Sequence, residues 1–141
     1  MQQEDYIKRE IEKIGLIMSA IWSKVFGGKM NHAVTTEKQI SDAKSMMLNN
    51  IDFDLDKFLN LNSIDATEFI SRLNGFNIEN IESLAKLLFQ IGLNSETDQS
   101  KTYLEKALLL YEICEITDRA YSMERQHDIL RIKQAILPNE N

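Results

Sequence analysis

Apolar side chains recur along most of this chain at the three- and four-residue spacing of amphipathic helices. The longest run comes first. Ile7, Ile11, Ile14, Met18, Ile21 and Val25 follow one another in alternating steps of four and three, a heptad seam. Ile17, Trp22 and Phe26 widen the stripe towards its end. The spacing predicts a helix over 4–26, with Glu4 and Asp5 at its start and Lys24 near its end complementing the helix dipole. Gly27 and Gly28 supply a stop. At about 1.5 Å per residue this helix exceeds 30 Å, long for so small a chain.

Residues 29–34 read as a loop, and Thr36 with Gln39 as a capping box opening a second helix that buries Ile40, Ala43 and Met47 and stops at Asn49-Asn50. Ile51, Phe53 and Leu55 alternate with Asp52, Asp54 and Asp56 as in a half-buried strand. Aspartate is a poor strand former, no partner strand is evident, and Leu55, Phe58 and Leu59 fit a short helix capped by Asp54 or Asp56. Ser63 or Asp65 caps a helix through Phe69, Ile70 and Leu73 that closes at Asn74-Gly75. Asn77 caps the next, which carries Ile81, Leu84, Ala85, Leu88 and Ile91 and ends at Gly92. After a polar loop over 94–100 comes a helix striped by Leu104, Ala107, Leu108, Tyr111 and Cys114. A last one, capped by Ser122, carries Ile129, Ile132 and Ile136 and stops at Pro138.

Composition agrees. With 141 residues, 43% apolar and 27% charged, the chain is the size and balance of one globular domain. Five glycines and a single proline are too few for the turns of a sandwich or barrel. The expected fold is therefore an all-α helical array forming one domain over 1–141, with an N-terminal helical pair over 1–50 and a C-terminal group over 78–137.

Within that C-terminal group, Ile81, Leu84, Ala85 and Leu88 on one helix, with Ser100, Leu104 and Ala107 on the next, stand at the spacing of the tetratricopeptide pattern. Residues 78–137 thus resemble a tetratricopeptide-type hairpin with a capping helix. One copy alone cannot complete a solenoid core, so the N-terminal helices or another subunit must contribute. The chain as a whole resembles a group of small uncharacterised bacterial proteins. Gln3-Glu4-Asp5-Tyr6-Ile7 opens a long apolar helix in the same manner, and a Tyr-Ser-x-Glu-Arg stretch, here Tyr121 to Arg125, opens the last one. That resemblance implies a fold and no activity.

Charge and chemistry narrow the function further. The formal charge is −6, and residues 50–98 hold nine acidic and three basic side chains. Nucleic-acid phosphates call for the opposite sign, so a nucleic-acid partner is not expected. The most apolar stretch, 14–26, is too short to span a bilayer and contains Ser19, Ser23 and Lys24. On the helix that carries this stretch Lys8, Arg9 and Lys13 are balanced by acids, so attraction to anionic lipid is weak. A lone Cys114 and no leader pattern suit a reducing, cytoplasmic setting.

Asp52, Asp54 and Asp56 invite a calcium-loop reading, but Lys57 stands where the loop needs glycine and Ser63 where it needs a closing carboxylate. His32 and His127 lack partners at metal-ligand spacing. Cys114 lies on an apolar stripe, as a small buried hydrophobe would. No glycine-rich phosphate loop is present, since Gly27-Gly28 lacks the spacing and the following lysine. Neither metal, cofactor nor catalysis is expected. The sequence instead points to a protein-interaction module, self-associating or meeting a partner protein through Ile7, Ile11, Ile14, Met18, Ile21, Trp22, Val25 and Phe26. The alternatives are burial of that same stripe inside the chain, and a small regulatory domain with a ligand pocket near Tyr103, Tyr111 and Trp22.

Overall fold

A computed structural model of the chain describes residues 2–26, 36–95 and 98–137. Among the described residues there are seven helices and no strand: α1 (Gln2–Val25), α2 (Thr36–Ile51), α3 (Leu55–Leu59), α4 (Ser63–Ser71), α5 (Ile78–Asn94), α6 (Gln99–Thr117) and α7 (Met123–Ile136). The all-α array expected from the periodicity is the architecture found. Two compact units divide the chain, residues 1–80 and 81–141, and the division falls inside α5. The first unit takes in α3 and α4 as well as the α1–α2 pair, and the second takes in most of α5 with α6 and α7.

In the first unit α1 packs on α2, and α3 lies between α2 and α4. The α1 seam supplies Ile14, Met18, Ile21 and Val25 to the interior, while Ala43 and Met47 of α2 do the same. Several helix ends differ from the expected ones. Gln39, expected as a capping-box partner at the start of α2, donates its amide to the Val25 carbonyl at 2.7 Å and so caps the end of α1. Asn49 and Asn50 do not stop α2, because Asn50 turns its amide back onto the Met46 carbonyl and leaves the helix intact. The stop comes at Asp52, which adopts a left-handed φ of 54° that aspartate tolerates, and the Phe53 N–H returns to the Met47 carbonyl at 3.1 Å. Gly27-Gly28, the loop 29–34, His32 and Pro138 lie outside the described residues.

That reversal carries Phe53 into an aromatic cluster, where its ring meets those of Phe58, Phe69 and Phe76 at centroid distances of 5.6, 5.7 and 5.6 Å. In the Ile51–Leu55 alternation Phe53 and Leu55 are buried, and Asp54 between them caps α3 by accepting from the Lys57 N–H. Asp56 pairs with Lys44 of α2 at 2.8 Å. At α4 the cap is Asn62, whose Oδ1 accepts from the Asp65 N–H at 2.8 Å; Ser63 and Asp65 lie inside the helix.

The turn before α5 docks on α1 through two residues. Gly75 has φ +87°, and a Cβ there would sit 2.8 and 2.9 Å from the backbone carbon and oxygen of Glu10. Asn80, almost fully buried, donates its amide to the carbonyls of Ile11 at 2.9 Å and Gly75 at 2.7 Å. Asn77 caps α5 by accepting from the Asn80 N–H at 3.0 Å, as its position suggests. A Gly75→Ala substitution meets both a left-handed backbone and a helix with no room to give. It is expected to cost about 2 kcal/mol, read as a lowered urea midpoint with an unchanged slope.

In the second unit α5 is buried around most of its circumference, through Leu84, Leu87, Leu88, Phe89 and Ile91. Gly92 does not terminate it, for α5 continues to Asn94. The glycine marks a close approach, since a Cβ there would lie 2.8 Å from Cγ and Cδ2 of Leu104. Ser100 fixes the start of α6 nearby by donating its hydroxyl to the Gly92 carbonyl at 2.6 Å. Along α6, Leu104, Ala107, Tyr111 and Cys114 are buried as expected; Tyr103 and Leu110 join them, while Leu108 is only half-buried. Helix α7 packs on α6, with Ser122 accepting from the Arg125 N–H at its start and Ile129 and Ile132 buried.

Candidate functional site

The expected interface residues on α1 divide by position. Ile14, Met18, Ile21 and Val25 are buried within the chain, so the middle of the seam forms core. Ile7 at one end and Trp22 at the other remain exposed, with Ile11 and Phe26 half-buried. Trp22 and Phe26 stack on each other at a centroid distance of 5.1 Å. The exposed ends are separated by the buried stretch and form no continuous strip.

Tyr103 and Tyr111 are buried rather than lining an open surface. The Tyr111 hydroxyl donates to Asp128 of α7 at 2.9 Å, and burial together with that carboxylate pushes its pKa well above the ordinary phenol value. Cys114 is fully buried; desolvation raises its thiol to about 11, although the nearby Arg125 charge pulls the other way. Such a thiol holds its proton and is a poor nucleophile. Labelling at pH 8 by a thiol reagent is expected to proceed only as fast as the protein unfolds, and a burst complete within the mixing time would contradict this placement. Because the unfolded thiol ionises near 9.0 and the folded one near 11, this group removes stability as pH rises through that window.

The densest charged arrangement lies where α5, α6 and α7 meet in the second unit. Arg125 of α7, only 3% exposed, donates through Nε to Glu82 at 3.2 Å, through Nη1 to Glu115 at 3.4 Å and through Nη2 to Asp118 at 3.1 Å. Burial alone would favour loss of the guanidinium proton, but the hydrogen bonds to Asp118 and Glu82 outweigh it and hold the charge more firmly. The Ala120 N–H and Arg125 together keep the Asp118 carboxyl below its usual range. Beside this cage Lys86 pairs with Glu124 at 2.9 Å. All three nitrogens of the guanidinium point to the chain's own carboxylates, so the arrangement cross-links three helices.

The opposite face of α7 has another character. Met123, Leu130 and Leu137 are 76%, 55% and 65% exposed, and they stand seven residues apart. The Leu137 N–H still bonds to the Lys133 carbonyl at 3.1 Å, which keeps it in helical register. Three apolar side chains therefore lie along one line of the helix, with Gln126, His127 and Gln134 between them. Tyr121, just before the helix, is 76% exposed as well.

Neither the Arg125 cage nor the α7 stripe was assigned from the sequence. Each left a signal. Arg125 shares a helical face with Ile129, Ile132 and Ile136, an odd place for a cation without buried partners. Met123, Leu130 and Leu137 mark the opposite face at heptad spacing. No described helix is long and apolar enough to cross a membrane. Comparison with known proteins finds no family model, no curated protein and no solved structure that matches this chain.

Proposed function

We propose that this protein is a protein–protein interaction module that works by contact rather than catalysis, and that its principal docking surface is the outer face of α7. The observation that carries this reading is the exposed line of Met123, Leu130 and Leu137, on a helix whose other face is fixed by the Arg125 cage. An exposed apolar line on a firmly anchored helix favours association, because covering it removes apolar surface from water and orders little that is not already ordered. The buried state of Ile14, Met18, Ile21 and Val25 shifts the proposed contact away from the middle of α1, leaving Ile7 and Trp22 as a smaller, secondary patch.

The test is native mass spectrometry on the protein purified from its own source. Mass retained beyond the 16.3 kDa chain, and lost in a Met123→Ser, Leu130→Ser, Leu137→Ser variant that melts within a few degrees of the parent, is the expected result. Retained mass that survives all three substitutions would remove α7 from the reading. A single peak at the chain mass for the parent would remove the reading itself. The competing idea of a regulatory ligand pocket receives no support from Tyr103 and Tyr111, whose rings are buried and whose Tyr111 hydroxyl is committed to Asp128.

A further inference from the structure

We propose that Asn74-Gly75 is a site of spontaneous covalent modification, at which Asn74 becomes isoaspartate and the turn before α5 loses its seat on α1. Of the chain's asparagines only Asn74 is followed by glycine. A glycine has no side chain to shield its backbone nitrogen from the preceding carboxamide. Asn74 is exposed, and among the described residues nothing hydrogen-bonds its carboxamide or accepts from the Gly75 N–H. Other asparagines are held: Asn62 and Asn77 have their carboxamides committed as helix caps, and Asn80 donates its own to two carbonyls. At Asn74 both reacting groups sit side by side with no competing partner, which favours an intramolecular reaction.

The reaction needs only water and its hydroxide. The Gly75 nitrogen gives its proton to hydroxide and attacks Asn74 Cγ. The new N–C bond closes a cyclic imide, the bond from Cγ to the amide nitrogen breaks, and that nitrogen leaves as ammonia with a proton taken from water. Water then opens the ring at either carbonyl. Cleavage between the Gly75 nitrogen and Cγ gives aspartate. Cleavage between that nitrogen and the Asn74 carbonyl carbon gives isoaspartate, in which Cβ and Cγ carry the main chain. The second product lengthens the backbone by one methylene just before Gly75, where there is no slack. A Cβ on Gly75 would already stand 2.8 and 2.9 Å from the backbone carbon and oxygen of Glu10, and 2.7 Å from Cδ1 of Ile14. The turn cannot yield towards α1, so it must move away. Asn80 then loses the Ile11 and Gly75 carbonyls that it holds at 2.9 and 2.7 Å, and a nearly fully buried amide is left unsatisfied.

Peptide mapping of the full chain, held folded in mildly alkaline buffer and sampled over weeks, tests this alongside thermal melting. Asn74 is expected to convert on the order of tenfold faster than any other described asparagine, with isoaspartate as well as aspartate at that position. Asn74→Gln, whose longer side chain closes the ring poorly, should fold as the parent does and lose the conversion. The aged isoaspartate form should melt roughly 4 °C or more below the fresh protein, with faster hydrogen exchange around Glu10 and Ile11. Fresh Asn74→Asp, which carries the new charge on an unlengthened backbone, should melt with the parent. Asn74 that stays intact, or converts no faster than the other asparagines, would overturn the site. Isoaspartate at 74 in a chain that melts like the fresh parent would overturn its effect on the turn. A fresh Asn74→Asp protein that melts as low as the aged one would assign the loss to charge and overturn the role of the added methylene.

Discussion

Replacing Ile21 by aspartate is expected to unfold most of the protein. Ile21 is fully buried in the middle of the α1 seam, and the substitution both empties a core site and forces a carboxylate into it. Losing the isoleucine costs about 2–5 kcal/mol through transfer and cavity effects, and burying an unpaired acid adds to that unless it takes up a proton. A loss of about 5 kcal/mol is comparable to the whole stability of many domains. Circular dichroism should show lost helicity or a sharply lowered melting temperature. Ile7→Asp, at the exposed end of the same helix, is expected to shift stability by no more than about 0.5 kcal/mol. If the two variants behaved alike and both stayed folded, the seam would not be core, and α1 would return as a surface for partners.

The second large effect is expected at Arg125. Changing it to alanine removes the only cation in contact with Glu82, Glu115 and Asp118 among the described residues and leaves three carboxylates facing one another. Removing one partner of a buried pair costs about 3–5 kcal/mol, and the acids' partial exposure places this case near the lower figure. Arg125→Lys should recover little, since an ammonium cannot reach three acceptors in the plane of a guanidinium. The damage should centre on α7, because Arg125 is its tie to α5 and to the end of α6. Hydrogen exchange in α7 should accelerate before exchange in α5. Acid probes the same tie. The folded Asp118 carboxyl is depressed below its unfolded value of 3.8, so its contribution is complete above that pH and disappears as pH falls through the lower, folded value. The Ala120 N–H and Arg125 both depress this carboxyl, so the Arg125→Ala variant should lose Arg125's share of the acid transition and keep that of Ala120.

How much of this could be read in the sequence depended on the kind of interaction involved. Local patterns were legible: the α1 seam, the Asp54, Asn77 and Ser122 caps, and the α5 and α6 stripes all follow from periodicity and short-range hydrogen bonding. Long-range choices were not. Gln39 sits where a capping box would place it, yet it bonds to Val25 fourteen positions earlier, because α1 and α2 lie side by side. Gly92 looks like a helix stop, but its purpose is to let Leu104 approach. The α1 stripe gave no sign of whether its partner was its own chain or another, since apolar burial carries no label of origin. Arg125 was visible only as part of a short motif, because its three acids come from 82, 115 and 118. The apolar line of α7 went unread because the buried Ile129 and Ile132 on the other face account for the helix by themselves.

The claim that the outer face of α7 is where this protein meets its partner can be tested by hydroxyl-radical footprinting. The protein would be labelled in fresh extract of its own source and again after purification to high dilution. The account predicts strong protection of Met123, Leu130 and Tyr121 in extract, lost on dilution, with Trp22 changing little. Equal labelling of Met123 in both states, or protection confined to Ile7 and Trp22, would contradict it.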